Sequence, residues 1–184
     1  MNEAEKNIAK QVAALEIPLA RDLFMRTLIR ELANVLQDVV GIDQASGFIS
    51  VVGRAMGNQI NEHYCKALGI KNLGREQVAA VLVDLKRRIG GDFFVVEQDD
   101  EKIVFGNRSC PFEDKVVGQK AMCMMTSNVF GSIAADNLGY AKVQLKETIA
   151  ESQPECRVVV YLKMGDEADA VEGREYFKSI GDDR

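Results

Sequence analysis

Residues 90–106, with the sequence Gly-Gly-Asp-Phe-Phe-Val-Val-Glu-Gln-Asp-Asp-Glu-Lys-Ile-Val-Phe-Gly, mark the point at which the chain changes from helices to a sheet. Two apolar runs, Phe93–Glu97 and Lys102–Gly106, flank the acidic segment Gln98–Glu101. Short apolar runs joined by a polar turn predict a β-hairpin. Upstream of the glycine pair, the apolar residues recur with the 3.6-residue period of helices.

Four helices are predicted before the hairpin. Their ranges are Asn2–Leu15, Pro18–Val40, Ser46–Leu68 and Arg75–Ile89. The proline suits a first helical turn and the serine an N-cap, and Gly41 and Gly69 end the second and third helices. Gly53 and Gly57 lie four residues apart in the third helix, so another helix or strand can approach closely there. The basic triplet Lys86–Arg88 complements the dipole of the fourth helix, and we expect it to be solvated.

Five apolar residues of the second helix recur at alternating steps of three and four. These seam residues are Met25, Leu28, Leu32, Val35 and Val39. Their spacing is typical of the a and d positions of a coiled coil, here over about two heptads. Two interpretations stay open: the seam packs on the domain's own core, or it pairs with the same helix of a second copy.

After the hairpin, the sequence predicts one more helix and two more strands. An irregular segment that contains Cys110-Pro111-Phe112 precedes a methionine-rich helix over Gly118–Asn137. The two strands cover Ala141–Thr148 and Cys156–Lys163. The remaining residues are polar, and one further helix is expected over Asp169–Ile180.

The order of these elements predicts an α+β fold. N-terminal helices precede a four-stranded, mostly antiparallel sheet, connected strand-strand-helix-strand-strand, with helices packed on it. We expect an N-terminal helical segment over residues 1–44, which is the candidate dimerisation element. An α+β domain over residues 45–163 and an acidic polar tail over residues 164–184 would follow it.

Composition limits the class of function. The 184 residues are 47% apolar and 28% charged, with a net charge of −5, which suits a globular fold and disfavours a surface for polyanions. No apolar stretch approaches the roughly 18 residues of a membrane span, and the N-terminus lacks the pattern of a signal peptide. We therefore expect a cytoplasmic protein with no direct contact to nucleic acid or membrane. The sequence contains neither a dinucleotide fingerprint nor a P-loop.

The four cysteines are the main candidates for chemistry. In a cytoplasmic chain, cysteines are more often thiols, metal ligands or redox groups than structural disulfides. Cys110, Cys123 and Cys156 fall at the ends of predicted elements that can meet at one edge of the sheet. Three thiolates suit zinc or an iron–sulfur centre, whereas buried free thiols in the core are the alternative. The candidates for a fourth ligand are Cys65, Glu113, Asp114 and His63.

Segments around these cysteines carry a resemblance to a known family. They are Asn107–Phe112 (Asn-Arg-Ser-Cys-Pro-Phe), Met122–Thr126 (Met-Cys-Met-Met-Thr), Ala134–Tyr140 and Cys156–Leu162 (Cys-Arg-Val-Val-Val-Tyr-Leu). Over roughly Gly47–Lys163 the chain resembles the methanogen output domain family. That family is similar to 4-vinyl reductase-type, hydrocarbon-binding sensor domains and to the heme–nitric oxide binding and TRAPP-component folds. The resemblance implies a dimeric sensor or output domain with a pocket between its helices and its sheet.

The resemblance also implies roles for individual residues. Related phenol-sensing domains hold zinc through cysteines, and by position Cys110, Cys123 and Cys156 would be the metal ligands here, with Cys65 as a further candidate. His63 is expected to be a polar helix residue, because the signature of a heme–nitric oxide domain is missing. The residues expected to line a pocket for a small apolar ligand are Phe48, Met125, Phe130 and Ile133.

The sequence favours a regulatory function over an enzymatic one. The leading hypothesis is a cytoplasmic sensory domain that binds zinc or an iron–sulfur cluster through its cysteines, or a small apolar ligand, and signals through a homodimer. Such a domain would act on a separate regulatory partner in response to a small-molecule or redox signal. The alternatives are a reductase of small, vinyl-type substrates, a metal-free thiol redox switch and a structural interaction module. The reductase is disfavoured because no cofactor fingerprint and no acid–base pair is evident.

Overall fold

The computed structural model describes residues 3–17 and 20–178. Within them, helices and strands follow each other in the order α1 (Glu3–Ala13), α2 (Arg21–Leu68), α3 (Arg75–Arg88), β1 (Phe93–Gln98), β2 (Lys102–Asn107), α4 (Lys120–Leu138), β3 (Tyr140–Glu147), β4 (Cys156–Tyr161), α5 (Asp166–Asp169) and β5 (Arg174–Phe177). Short 3-10 helices lie at Glu113–Val116 and Ile149–Glu151. The helix ends predicted at Asn2, Pro18 and Ile180 lie outside the described residues.

The strands form one antiparallel sheet in the order β1-β2-β4-β3-β5. The side chains of β2 and β4 alternate between its two faces. Phe105 and Val158, which are register partners, lie in the main core, whereas Val104 and Val159 lie in a smaller cluster on the other face. Both faces of these strands are buried, so β2 and β4 consist largely of apolar residues.

The α+β class is confirmed, but the sheet has five strands and not four. The helix predicted over Asp169–Ile180 is wrong: residues 166–169 form a short helix, and Arg174–Phe177 pairs with β3 as an edge strand. The ring of Tyr176 lies over Gly131 of α4, where a Cβ atom would collide with it. The Tyr176 hydroxyl lies 2.9 Å from Ser127 Oγ. Packing on α4 therefore stabilises a strand that is too short to show a clear alternating pattern.

The two helices predicted before and after Gly41 together make up α2, and the chain is interrupted at Gly41 as predicted. Gly41 has a φ of 78° and non-helical geometry, which a glycine adopts without strain. We refer to residues 21–40 as the N-terminal arm and to residues 42–68 as the C-terminal arm. The C-terminal arm packs on α4, where a Cβ atom at Gly57 would lie 2.9 Å from Ser132 Cβ and one at Gly53 would collide with Asn128. The two glycines thus permit the close approach that their spacing predicted.

The main core lies between the sheet and the layer of α2, α3 and α4. The ring of Phe130 from α4 is fully buried and meets Phe93 and Phe105 edge-on, each at a centroid distance of 5.4 Å. Val78 and Leu82 of α3 are also fully buried. The smaller cluster on the opposite face is covered by the chain around α5.

The seam of the N-terminal arm is exposed. Its five residues expose between 40% and 75% of their surface, with Leu28 and Val39 as the two extremes. The interpretation that the seam packs on the domain's own core therefore does not hold in this chain. None of the helices within the described ranges combines the length and the apolar character that a membrane span requires.

Candidate functional site

A large cavity with a volume of about 880 Å³ lies between the two arms of α2, α3 and α4. Most of the residues in its wall are aliphatic residues and methionines. They include Ile29, Leu32, Leu36, Ile49, Val52, Met56, Ile60, Leu85, Met122, Met125 and Val129. Residues on both sides of the kink at Gly41 line this space, so the two arms form parts of the same wall. A cavity of this size and character is typical of sites for small apolar ligands.

The cavity opens toward solvent on the side of α2. Leu32 of the N-terminal arm and Val52 and Met56 of the C-terminal arm line it and are exposed. His63 and Arg88 lie at the polar edge of this opening. Arg88 Nε lies 2.6 Å from Asp84 Oδ2, so its charge is already paired. The open side is thus apolar, with a narrow polar rim.

A buried cation, Lys86, also lines the cavity. Lys86 is only 6% exposed, and its Nζ donates a 2.7 Å hydrogen bond to Thr126 Oγ1. Lys86 Nζ also lies 5.3 Å from the ring centroid of Phe93 and 5.4 Å from that of Phe130, within the range of cation–π contacts. Burial lowers the pKa of Lys86 to about 8. The expectation of a solvated basic triplet is wrong for this residue.

Beyond Thr126 lies a second, small cavity of about 30 Å³ that three cysteines line. Cys110, Cys123 and Cys156 meet there, as their placement at element ends predicted. Burial raises the pKa of the Cys110 thiol and raises that of Cys123 to about 12. Cys156 Sγ accepts hydrogen bonds from Asn107 Nδ2 at 3.7 Å and from the backbone N–H of residue 149 at 3.4 Å. We call this group of three the thiol cluster.

None of the four candidate fourth ligands lines the small cavity of the thiol cluster. Cys65 is in the main core, 3.8 Å from Asn61 Oδ1, and His63 is at the mouth of the large cavity. Glu113 and Asp114 form ion pairs with Arg26 and Lys115. Among the side chains that the structure describes, no group of three or more His, Cys, Asp or Glu is placed to hold a metal ion.

The donor set as placed does not fit zinc or an iron–sulfur cluster. The thiol cluster supplies three sulfurs without a fourth ligand, and the ammonium of Lys86 is close enough to interact electrostatically with all three. A fixed positive charge there opposes the binding of a cation. Metal binding by these cysteines stays a prediction from the sequence.

The residues predicted to line a ligand pocket lie in three different environments. Met125 lines the large cavity, whereas Phe130 and Ile133 lie fully buried in the main core and Phe48 is exposed. Phe130 follows Met125 by five positions, which is about 140° around the helix, so it points toward a different side.

The sequence prediction missed Lys86 and Thr126. A pattern could have placed the lysine, because Val78, Leu82 and Lys86 follow each other at steps of four and so lie on the buried face of α3. No comparable pattern marks Thr126, which the fold places opposite Lys86 from another helix.

Comparison with known families identifies the family of this chain. The profile of the family described as methanogen output domain 1 matches residues 28–161, which is most of the chain. The chain belongs to the methanogen output domain 1 family. The match begins within the N-terminal arm, so this methanogen output domain includes both arms of α2 and both cavities. A comparison with curated proteins found no significant match.

Two solved structures share the fold of this methanogen output domain. One is the crystal structure of the phenol-responsive sensory domain of the transcription activator PoxR with phenol, at a TM-score of 0.59 and 16% identity over 84% of this chain and 81% of that one. The other is a trafficking protein particle complex subunit 3 from Naegleria fowleri covalently bound to palmitic acid, at a TM-score of 0.57 and 14% identity over 78% of this chain and 95% of that one. Both relationships of fold were predicted from the sequence.

Proposed function

We propose that this methanogen output domain is a sensory module that binds a small apolar molecule in the cavity between α2, α3 and α4. The observation that carries the proposal is the cavity itself, with about 880 Å³ of space and an almost wholly apolar wall. An empty apolar cavity of this size loses packing contacts, and a ligand restores them. The fold supports the proposal, because the similar domains bind phenol in one case and carry palmitic acid in the other.

Binding would be coupled to the position of the N-terminal arm. Ile29, Leu32 and Leu36 of this arm line the cavity, so a ligand there contacts both sides of the kink. Arg26 Nη1 of the N-terminal arm lies 2.5 Å from Glu113 Oε2. This ion pair connects the arm to the segment that carries Cys110. A ligand that fits one angle between the arms better than another would shift the population of arm positions.

The output surface in this proposal is the exposed seam of the N-terminal arm. Five apolar side chains at a and d spacing are exposed along one stripe, which is costly in water unless a partner covers them. We propose a homodimer in which two such seams pair, and a separate regulatory protein that responds to a change in the dimer. The seam and the cavity share Leu32, which links ligand binding to pairing.

Isothermal titration calorimetry of the full chain with 1-decanol tests the binding site. Met125 lines the cavity and its neighbour Met124 does not, so Met125→Trp and Met124→Trp are matched variants. We expect Met125→Trp to weaken binding at least about tenfold by filling the cavity, and Met124→Trp to bind like the wild type. Equal loss in both variants contradicts the proposal, and so does a wild type that binds neither 1-decanol nor charged compounds of the same chain length.

The thiol cluster supports a second candidate function, a redox sensor, and the same experiment tests the metal site predicted from the sequence. Its support is that three segments far apart in sequence bring their cysteines to one small cavity. Metal analysis of anaerobically purified protein tests it, with Cys123→Ser compared with Cys65→Ser. Stoichiometric metal that only Cys123→Ser removes would support a metal site. If the thiols carry no metal and mild oxidants do not oxidise them, both the metal site and the redox sensor are contradicted.

A further inference from the structure

The ammonium of Lys86 has no anionic partner among the described side chains. The ion pairs there join other lysines and arginines to carboxylates, and none of them includes Lys86. Its hydrogen bond to Thr126 uses one of the three N–H groups. A buried ammonium that is not paired with an anion is costly, because hydrogen bonds to neutral groups replace only part of its hydration.

The thiol cluster does not supply the missing anion. Burial raises the pKa of Cys110 and Cys123, so these thiols are protonated at neutral pH. Cys156 Sγ accepts its hydrogen bonds from Asn107 and from the backbone of residue 149, not from Lys86. The two aromatic rings near Lys86 offer only the partial negative charge of their faces.

Lys86 and Thr126 both line the large apolar cavity. Thr126 Oγ1 accepts from Lys86, which leaves the O–H of Thr126 to donate, and no acceptor for it is found among the described residues. The cavity thus has an apolar body and one end with an ammonium and a hydroxyl. These two groups together match a carboxylate, which accepts several hydrogen bonds and carries the opposite charge.

We propose that the ligand of this cavity is an amphipathic carboxylic acid, with its apolar chain or ring between the arms of α2 and its carboxylate on Lys86 Nζ and Thr126 Oγ1. This inference rests on the proposed function and names the class of ligand. The carboxylate forms a charge-assisted hydrogen bond with Lys86 inside a low-dielectric site, where such a bond is stronger than in water. A neutral alcohol of the same length fills the same space but leaves the ammonium unpaired.

Isothermal titration calorimetry at pH 7 with three compounds of one chain length tests the proposal. Decanoate, 1-decanol and decyltrimethylammonium share a ten-carbon chain and differ in the charge of the head, and each is used below its micelle concentration. We expect decanoate to bind about tenfold or more tighter than 1-decanol, and the ammonium compound to bind most weakly. In Lys86→Met, decanoate should bind no tighter than 1-decanol. The matched control is Lys66→Met, which removes an exposed lysine of α2 and should leave the preference unchanged.

The possible failures separate the two proposals. Equal affinity of the wild type for decanoate and 1-decanol, with both lost in Met125→Trp, overturns the acidic ligand and leaves the apolar cavity as the site. A preference for decanoate that survives in Lys86→Met also overturns the role of Lys86. Failure of all three compounds to bind contradicts the proposed function, and the ligand class with it.

Discussion

A lysine ammonium in an apolar core loses its hydration, and Lys86 recovers only part of that loss from Thr126 and the rings of Phe93 and Phe130. Burial accordingly lowers its pKa to about 8 in the folded state, against about 10.4 for an unfolded lysine. Between these two values the unfolded state binds more protons, so stability rises with pH from about 8 to about 10.5. Below pH 8 Lys86 is charged in both states, and burial of the charge makes the free energy of unfolding lower than with an uncharged side chain at this position.

Lys86→Met should therefore stabilise the ligand-free protein at pH 7. Methionine has a similar length and removes the buried charge, so we expect a gain of about 1–3 kcal/mol in the free energy of unfolding. Urea denaturation at pH 7 and at pH 10 measures it, and the gain should be smaller at pH 10. Lys66→Met provides the control at an exposed position. A loss of stability in Lys86→Met at pH 7 would show that the ammonium has an anionic partner.

The thiol of Cys123 should react slowly in the folded protein. Its pKa of about 12 leaves about one part in ten thousand as thiolate at pH 8, and the thiolate is the nucleophile. We expect alkylation by iodoacetamide at pH 8 to be at least about a hundredfold slower than in urea. Peptide mapping by mass spectrometry assigns the rate to each cysteine. Rapid modification of Cys123 in the native state would indicate a thiolate, and would favour the redox or metal function.

At the scale of the elements, the contact between α2 and α4 depends on two glycines. A Cβ atom at Gly53 would collide with Asn128 of α4, whereas one at Gly47 in the same helix meets nothing within 4 Å. We expect Gly53→Ala to lower the free energy of unfolding by about 1–3 kcal/mol through this clash. Gly47→Ala should raise it by up to about 1 kcal/mol, because alanine favours the helix. Thermal unfolding followed by circular dichroism compares the two, and equal effects would contradict the close packing.

Much of the element order could be predicted from the sequence, since long segments carry a clear period. The hairpin around residues 98–101, the methionine-rich helix and the two strands after it lie within a few residues of their predicted bounds. The strand β5 was missed because it has four residues and owes its structure to β3 and to the packing of Tyr176 on α4. The interruption of α2 at Gly41 could be predicted, because glycine is a common helix end.

For the candidate site, the sequence predicted that three cysteines lie together, but it did not predict the apolar cavity or the buried Lys86 in its wall. The three cysteines of the thiol cluster meet as their positions at element ends suggested. The apolar cavity depends on the angle of the kink in α2, which no local pattern specifies. The charge of Lys86 indicates a surface residue, whereas its place on the buried face of α3 decides where it lies.

At the scale of the whole molecule, the exposed seam predicts self-association. Val35 lies in the seam, is exposed and does not line the cavity, so a change there affects the surface alone. Val35→Glu places a charge within the apolar stripe and should shift the protein from dimer to monomer in multi-angle light scattering. Gln37→Glu adds the same charge to the arm outside the seam and should leave the dimer intact. A monomeric wild type, or a dimer in Val35→Glu, would contradict pairing through the seam.

The binding of an apolar ligand between α2, α3 and α4 is tested most directly by NMR of protein labelled with ¹³C at the methionine methyl groups. Three methionines, Met56, Met122 and Met125, line the cavity, whereas Met25, Met124 and Met164 do not. Titration with 1-decanol should shift or broaden the methyl signals of the first three, saturate with the ligand, and leave those of the other three in place. Unchanged signals from Met56, Met122 and Met125 at saturating ligand, or equal changes in all six, would contradict the cavity as the binding site.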